Sequence, residues 1–284
     1  MNKKWMAVLV CLLLAVGVGG LWRMRTARAE KRSYTLGVIG NFKGKNSQVG
    51  VEAFNAILLA YDEYRRAHPG GFELQILPVD DSWDATKIRA AYLSCADQTD
   101  LLFMLTGSSM IPLVTNDIRE RSGTLHAVLG ATTTLLSGKR DNMIRNVPDL
   151  EREQTMVAAF VRAQGWQRML IVLDGEFNAK YTEPALETFQ RHAGLPHIDV
   201  VRFSGHRMDT DGAREALRKS PYDALYVLVG GMPREAAILI QQARAIQPEI
   251  PVLITPWVRG LIFEQALGAE TSGIFMPSHL KMIS

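Results

Sequence analysis

The chain has 284 residues, 47% of them hydrophobic and 21% charged, and a formal charge of +3. Residues 1–29 hold five basic side chains and no acid, while the rest carries 27 basic against 29 acidic groups, which argues against a general attraction of the folded part for nucleic acid or an anionic membrane. Only Cys11 and Cys95 occur, the first inside an apolar leader, so the folded part can hold neither an internal disulfide nor a cysteine-pair zinc site.

The leader comes first in chain order. Met1 to Lys4 is short and basic, Trp5 to Trp22 is uncharged, and Ala27-Arg28-Ala29 has the small-x-small form that a signal peptidase accepts. Residues 1–29 therefore read as a signal peptide or signal anchor, and the protein is expected in the periplasm or otherwise outside the cytoplasm. Both fates stay open, because residues 5–22 approach the length of a transmembrane helix and would then anchor the chain in the inner membrane.

From Ser33 onward, short aliphatic runs alternate with segments of helical period, the pattern of parallel strands covered by helices on both faces. Strands are predicted at Tyr34 to Ile39, Glu73 to Val79, Leu101 to Thr106 and Leu125 to Leu129. Helices fall between them at about Val51 to Arg66, Asp84 to Cys95 and Ile111 to Arg121. In the first helix Val51, Phe54, Leu58 and Tyr61 recur every three or four residues and form the face expected on the sheet. Pro148 then interrupts the pattern, and Asp149 is a natural N-cap for a helix running to about Ala163. The alternation restarts with strands at Arg168 to Leu173, Ile198 to Phe203, Ala224 to Val229, Val252 to Thr255 and Gly273 to Met276. Their helices occupy about Tyr181 to His192, Asp211 to Lys219, Arg234 to Ile246 and Arg259 to Leu267. The fold class is α/β with two doubly wound parallel-sheet lobes, residues 33–148 and 149–284.

Catalytic signatures are missing from the sequence. The loop Gly40 to Asn46 has neither phosphate-loop nor dinucleotide spacing, the six histidines lack metal-site spacing, and Gly107-Ser108-Ser109 is no nucleophile elbow. Asp80 and Asp81 directly follow a strand, where paired acids ordinarily cap a helix or bind loop amides. The protein is read as non-catalytic, with no cofactor. Small polar residues collect instead at Thr106 to Ser109 and Ala131 to Thr134, just beyond the carboxyl ends of two strands, the place where open α/β sheets bind ligands. Ser108 and Ser109 also precede a helix, whose free amides favour an anion such as a carboxylate.

In order and spacing these pieces resemble the type I periplasmic binding proteins, especially the branched-chain amino-acid (Leu/Ile/Val) binding family of ABC transporters. They are Leu36 to Gly40, Gln48-Val49-Gly50, Val79 to Ser82, Thr106 to Ser109, Ala131 to Thr133, Ile144 to Asp149, Tyr222 to Val227 and Gln241 to Arg244. The resemblance implies a ligand-binding protein that holds an amino acid or related small carboxylate or amide between its lobes and hands it to an ABC permease. A membrane-anchored sensor domain acting through a signalling partner is the alternative it leaves. It further implies that Ser108, Ser109, Ala131, Thr132 and Thr133 hold the ligand from the first lobe, and that Phe177, Gly231 and Trp257 close on it from the second. Where the family has an acid for the ammonium group, this chain reads Thr255-Pro256-Trp257-Val258, which favours a ligand without an α-amino group. The first lobe is expected to be incomplete, with an uncovered sheet edge and an exposed apolar helix face.

Overall fold

The computed structural model describes residues 32–278 apart from 44–46, 83, 106–123, 177, 205–207, 209 and 270, and of residues 48, 49 and 85 the backbone alone. Strand β1 (Ser33–Gly40) leads through helix α1 (Gln48–Ala67) to β2 (Glu73–Asp80), and through α2 (Ala85–Cys95) to β3 (Leu101–Met104). Then come β4 (Leu125–Val128) and β5 (Met143–Arg145). The second set runs α3 (Leu150–Gln164), β6 (Arg168–Asp174), α4 (Ala179–Ala193), β7 (His197–Phe203), α5 (Asp211–Lys219) and β8 (Ala224–Leu228). It finishes with α6 (Pro233–Ile246), β9 (Val252–Ile254), α7 (Leu261–Leu267) and β10 (Ile274–Phe275).

Among the described residues the strands form two five-stranded sheets, ordered β2-β1-β3-β4-β5 and β10-β9-β8-β6-β7, and each of their strand pairs is parallel. The chain thus winds outward in both directions from β1 in one sheet and from β6 in the other. That reversal opens a crevice at the carboxyl ends of β1 and β3, and of β6 and β8. Two doubly wound α/β lobes are what the alternation of strand and helix predicted.

The caps explain several boundaries. Asp84 accepts the Thr86 amide at 2.8 Å and starts α2, and Asp149 accepts the Arg152 amide at 3.1 Å and starts α3. Asp80 turns onto its own loop, taking the Phe42 amide at 2.7 Å and the Ser82 hydroxyl at 2.6 Å, the structural role expected for an acid after a strand. Cys95 is buried, and burial pushes its thiol up to about 11.

The second lobe is covered on both faces. Leu170, Val172, Leu225 and Val227 point to one helical layer, while Met169, Ile171, Leu173 and Tyr226 point to the other, so its strands read as nearly unbroken apolar runs. The first lobe is covered unevenly. Ile39, Leu102, Met104 and Val128 pack with Ile88 and Tyr92 of α2. On the opposite face Leu36 and Val38 meet Ala53, Phe54 and Ile57 of α1. Further across that face Leu101 stands beside Leu125, and Ala127 beside Ile144. Leu125 and Ile144 are 42% and 57% exposed.

Three sequence expectations change. The face of α1 on the sheet is Ala53, Phe54 and Ile57, whereas Val51 and Leu58 are exposed, so the buried stripe is rotated from the expected one while keeping the helical spacing of three to four residues. Strand β5 was not expected, since three residues are too few to show a period. The transmembrane helix is corrected: among the described residues no helix is long and apolar enough to cross a membrane, and residues 5–22, where it was expected, lie outside them, as does the helix at Ile111 to Arg121.

Candidate ligand-binding site

Beyond β4 the chain enters Leu129-Gly130-Ala131-Thr132-Thr133, and Gly130 takes φ +84, a conformation costly for a residue with a Cβ. The segment that crosses to the second lobe holds this loop in place. The Gly130 amide donates to Asn146 Oδ1 at 3.2 Å, the Arg145 guanidinium to the Thr133 carbonyl at 2.9 Å, and the Leu150 amide to the Thr132 carbonyl at 2.7 Å. Arg145 also donates to Ser137 Oγ at 2.7 Å, and Ser137 donates to Asp149 at 2.8 Å. Burial works against the Asp149 charge, but the Arg152 amide, the Ser137 hydroxyl and the nearby Arg145 together hold its carboxyl below the ordinary range. Arg145 and Asn146 lie in the stretch singled out at the crossing, yet nothing in the sequence marked them as the residues that brace the loop.

Ala131 and Thr132 are buried. Thr133 is partly exposed, and its hydroxyl oxygen accepts the Leu135 amide at 3.3 Å. From the second lobe, β9 delivers Thr255, whose hydroxyl donates to the Val229 carbonyl at 2.6 Å and ties the ends of β9 and β8 together. The turn that follows carries Trp257 across to the first lobe: a Cβ placed on Gly130 would lie 3.3 and 3.4 Å from Cζ3 and Cη2 of the indole. The structure therefore places Trp257 against Gly130, at the start of the loop that carries Ala131, Thr132 and Thr133. Gly231 follows β8 with open space beside it. Ser108, Ser109 and Phe177 lie outside the described residues.

Behind Trp257 is a buried polar chain that the sequence did not announce. The Trp257 and Tyr181 rings meet edge to face, centroids 6.4 Å apart at 88°, and a side-chain hydrogen bond joins them, in which an indole can only donate. The Tyr181 hydroxyl donates to Glu153 at 2.9 Å, Gln154 donates to the same oxygen at 3.0 Å, and Tyr226 donates to Gln154 at 3.2 Å. Glu153 is fully buried. Asp174, the other acid near this wall, is also buried and accepts the Glu176 and Asn178 amides at 3.0 Å each.

Burial first, and the Glu153 charge second, raise the hydroxyl pKa of both Tyr181 and Tyr226 above the ordinary tyrosine value of 10.0. The unfolded chain releases these protons first, so this contribution to stability is complete below pH 10 and is lost as pH rises above it. The slope is about 1.4 kcal/mol per pH unit for each tyrosine. Urea unfolding at pH 9 and 10.5 measures it, and Tyr226→Phe should make the fall shallower by one tyrosine's share. An unchanged slope in that variant contradicts the assignment.

Among the described residues no group of three or more His, Cys, Asp or Glu is placed to hold a metal ion. A surface groove of about 360 Å³ lies between the end of α1 and the start of β2, lined by residues that include Arg65, His68 and Phe72. It opens at the amino ends of the strands, away from the crevice.

No protein-family model and no curated protein matches the sequence. Solved structures do. The leucine-binding protein LivK of Thermotoga maritima is 17% identical with a TM-score of 0.73, the match covering 87% of this chain and 70% of that one. The branched-chain amino-acid transporter substrate-binding protein LivJ of Streptococcus pneumoniae, solved with isoleucine, is 16% identical with a TM-score of 0.72 over 86% and 70%. A solute-binding protein of an ABC transporter from Rhodopseudomonas palustris, solved with 3,4-dihydroxybenzoic acid, is 15% identical with a TM-score of 0.64 over 80% and 62%. Likeness at these identities speaks for architecture, and with its two doubly wound lobes meeting at strand-end loops, this chain has the fold of the type I periplasmic binding proteins.

Proposed function

We propose that the protein is the extracytoplasmic solute-binding component of an ABC importer and takes a small apolar or aromatic carboxylate, or an amide, between its lobes. The observation that carries this reading is the approach of Trp257 to Gly130, which sets the loop at Ala131 to Thr133 opposite an aromatic wall. Ser108 and Ser109, at a predicted helix start, would receive the carboxylate, with Thr133 beside them and Phe177, Gly231 and Trp257 closing from the other side. An α-ammonium group would need an acid in the cleft, yet Glu153 and Asp174 are both buried and accept bonds from their own lobe. The leader at residues 1–29 and the likeness to transporter binding proteins support export and a permease partner.

Thermal-shift measurements on the whole chain with isoleucine, 4-hydroxybenzoate and 3,4-dihydroxybenzoate test the reading. The two benzoates are expected to raise the midpoint and isoleucine to leave it unchanged. A shift with isoleucine alone would overturn the ligand class, and no shift with any of a wider set of amino acids, amides and short carboxylates would overturn the transport role. Ser109→Ala combined with Thr133→Ala should weaken binding about tenfold or more, the loss expected for one or two hydrogen bonds to a charged group, without unfolding the free protein. Isothermal titration measures it, and unchanged affinity would move the site elsewhere.

A further inference from the structure

The described chain passes between the sheets at residues 146–149, and one short connection leaves the placement of the lobes to non-covalent contacts. Two of these sit at the crossing itself, the Leu150 amide on the Thr132 carbonyl and the Ser137 hydroxyl on Asp149. A third lies beside it, between the turn after β9 and the loop that Asn146 holds: the indole of Trp257 stands against Gly130. We propose that this third contact is a latch that holds the lobes together in the ligand-free protein, and that Glu153 and Tyr181 are positioning residues that keep the indole in place for it.

The case rests on a closed circuit of contacts. Gly130 is tied to the crossing through Asn146. The crossing runs directly into α3, capped by Asp149, and Glu153 sits in the first turns of that helix. Glu153 holds the Tyr181 hydroxyl at 2.9 Å, Tyr181 holds Trp257 edge to face and by a side-chain bond, and Trp257 returns to Gly130. A rotation about the crossing must either part the indole from Gly130 or disturb the start of α3. The second is costly, because Glu153 is fully buried among partners that would lose their acceptor. The latch is therefore the element that gives way when the lobes open, and it closes tightly because position 130 has no side chain. Glu153 acts through Tyr181 and touches neither Gly130 nor the crevice loop in this scheme, so its effect is on where the indole points.

Two measurements on ligand-free protein test this, which separates the outcome from that of the ligand screen. Acrylamide quenching of Trp257 is obtained as the difference between each protein and its Trp257→Phe counterpart. The quenching constant should rise at least twofold in Tyr181→Phe and in Glu153→Ala, and return close to the parent value in Glu153→Gln, which keeps an acceptor. A fall in thermal midpoint with unchanged quenching would make both residues merely structural and overturn the positioning role. Lobe separation is read from spin labels at Lys139→Cys and Arg234→Cys, both exposed, in a Cys11→Ser background, with buried Cys95 unreactive. Trp257→Ala and Gly130→Val should each lengthen the distance between the labels. A distance distribution identical to the parent in both variants would overturn the latch, whether or not a ligand is found.

Discussion

Gly50→Ala is expected to unfold or loosen the first lobe while leaving the second intact. A Cβ at position 50 would lie 2.1 Å from the carbonyl oxygen of Asn41 and 2.9 Å from its carbonyl carbon. Both are backbone atoms at the end of β1, and the next amide, Phe42, is fixed by Asp80 at 2.7 Å, so the strand end cannot yield as a side chain would. The start of α1 would have to move outward. That helix is the cover of Leu36 and Val38 through Ala53, Phe54 and Ile57, and its displacement would widen an apolar face that is already partly open. Overpacking ordinarily costs 1–3 kcal/mol, and a clash this short against backbone places the substitution at about 3 kcal/mol or above. Hydrogen exchange resolved by peptide should show faster exchange across β1, β2 and α1 and parent-like rates in β6 and β8. Exchange unchanged in both lobes would refute the packing described at the end of β1.

Phe189→Ala should have the opposite distribution. Phe189 of α4 is fully buried and meets Tyr226 of β8 with centroids 5.6 Å apart at 65°, in the layer that contains Met169, Ile171 and Leu173. Its neighbours belong to a helix and to strands at the centre of a sheet, so they can collapse only partly into the space left. The expected loss is about 3–5 kcal/mol, read as a lower urea midpoint for the second lobe. Because Tyr181 lies on the same helix, a change in Trp257 fluorescence should accompany the loss even below the unfolding transition. A loss under about 1 kcal/mol would mean that the layer repacks and that α4 is less firmly seated than its burial implies.

Much of the architecture could be read before any coordinates because it rests on short-range pattern. Strand and helix alternate with periods visible within a dozen residues, and the order of β1, α1, β2, α2 and β3 follows from it. Asp149 was recognisable as a cap because a cap acts on amides two or three residues away, whereas Asp84, read as the first residue of its helix, is the cap of α2. Likewise the polar loop after β4 could be placed at a strand's carboxyl end from position alone. Where pattern is too short or a surface has several possible partners, the reading failed. Met143-Ile144-Arg145 pairs with β4 as a strand with too few residues to declare itself, and Val51 and Leu58 looked like part of the buried stripe although both are exposed.

The site divides along the same line. Of the candidate residues, Ala131, Thr132 and Thr133 could be placed just beyond a strand's end from sequence, while Trp257 and the lack of an acid at 255–258 were implied by the family resemblance. That Trp257 reaches Gly130, that Arg145 and Asn146 brace the loop, and that Glu153 is a buried acceptor were decided only by tertiary structure. In Leu150-Glu151-Arg152-Glu153-Gln154 the charges resemble a solvated helix face, and no local rule distinguishes Glu151, which is partly exposed, from Glu153, which is not. The distinction arises when α3 packs beside α4 and against β8, so that residues 28 and 72 positions away supply hydroxyl groups for a Glu153–Gln154 pair. Local periodicity determined the two lobes, and long-range packing determined what stands at the opening between them, since burial of a polar group is set by partners distant in the chain.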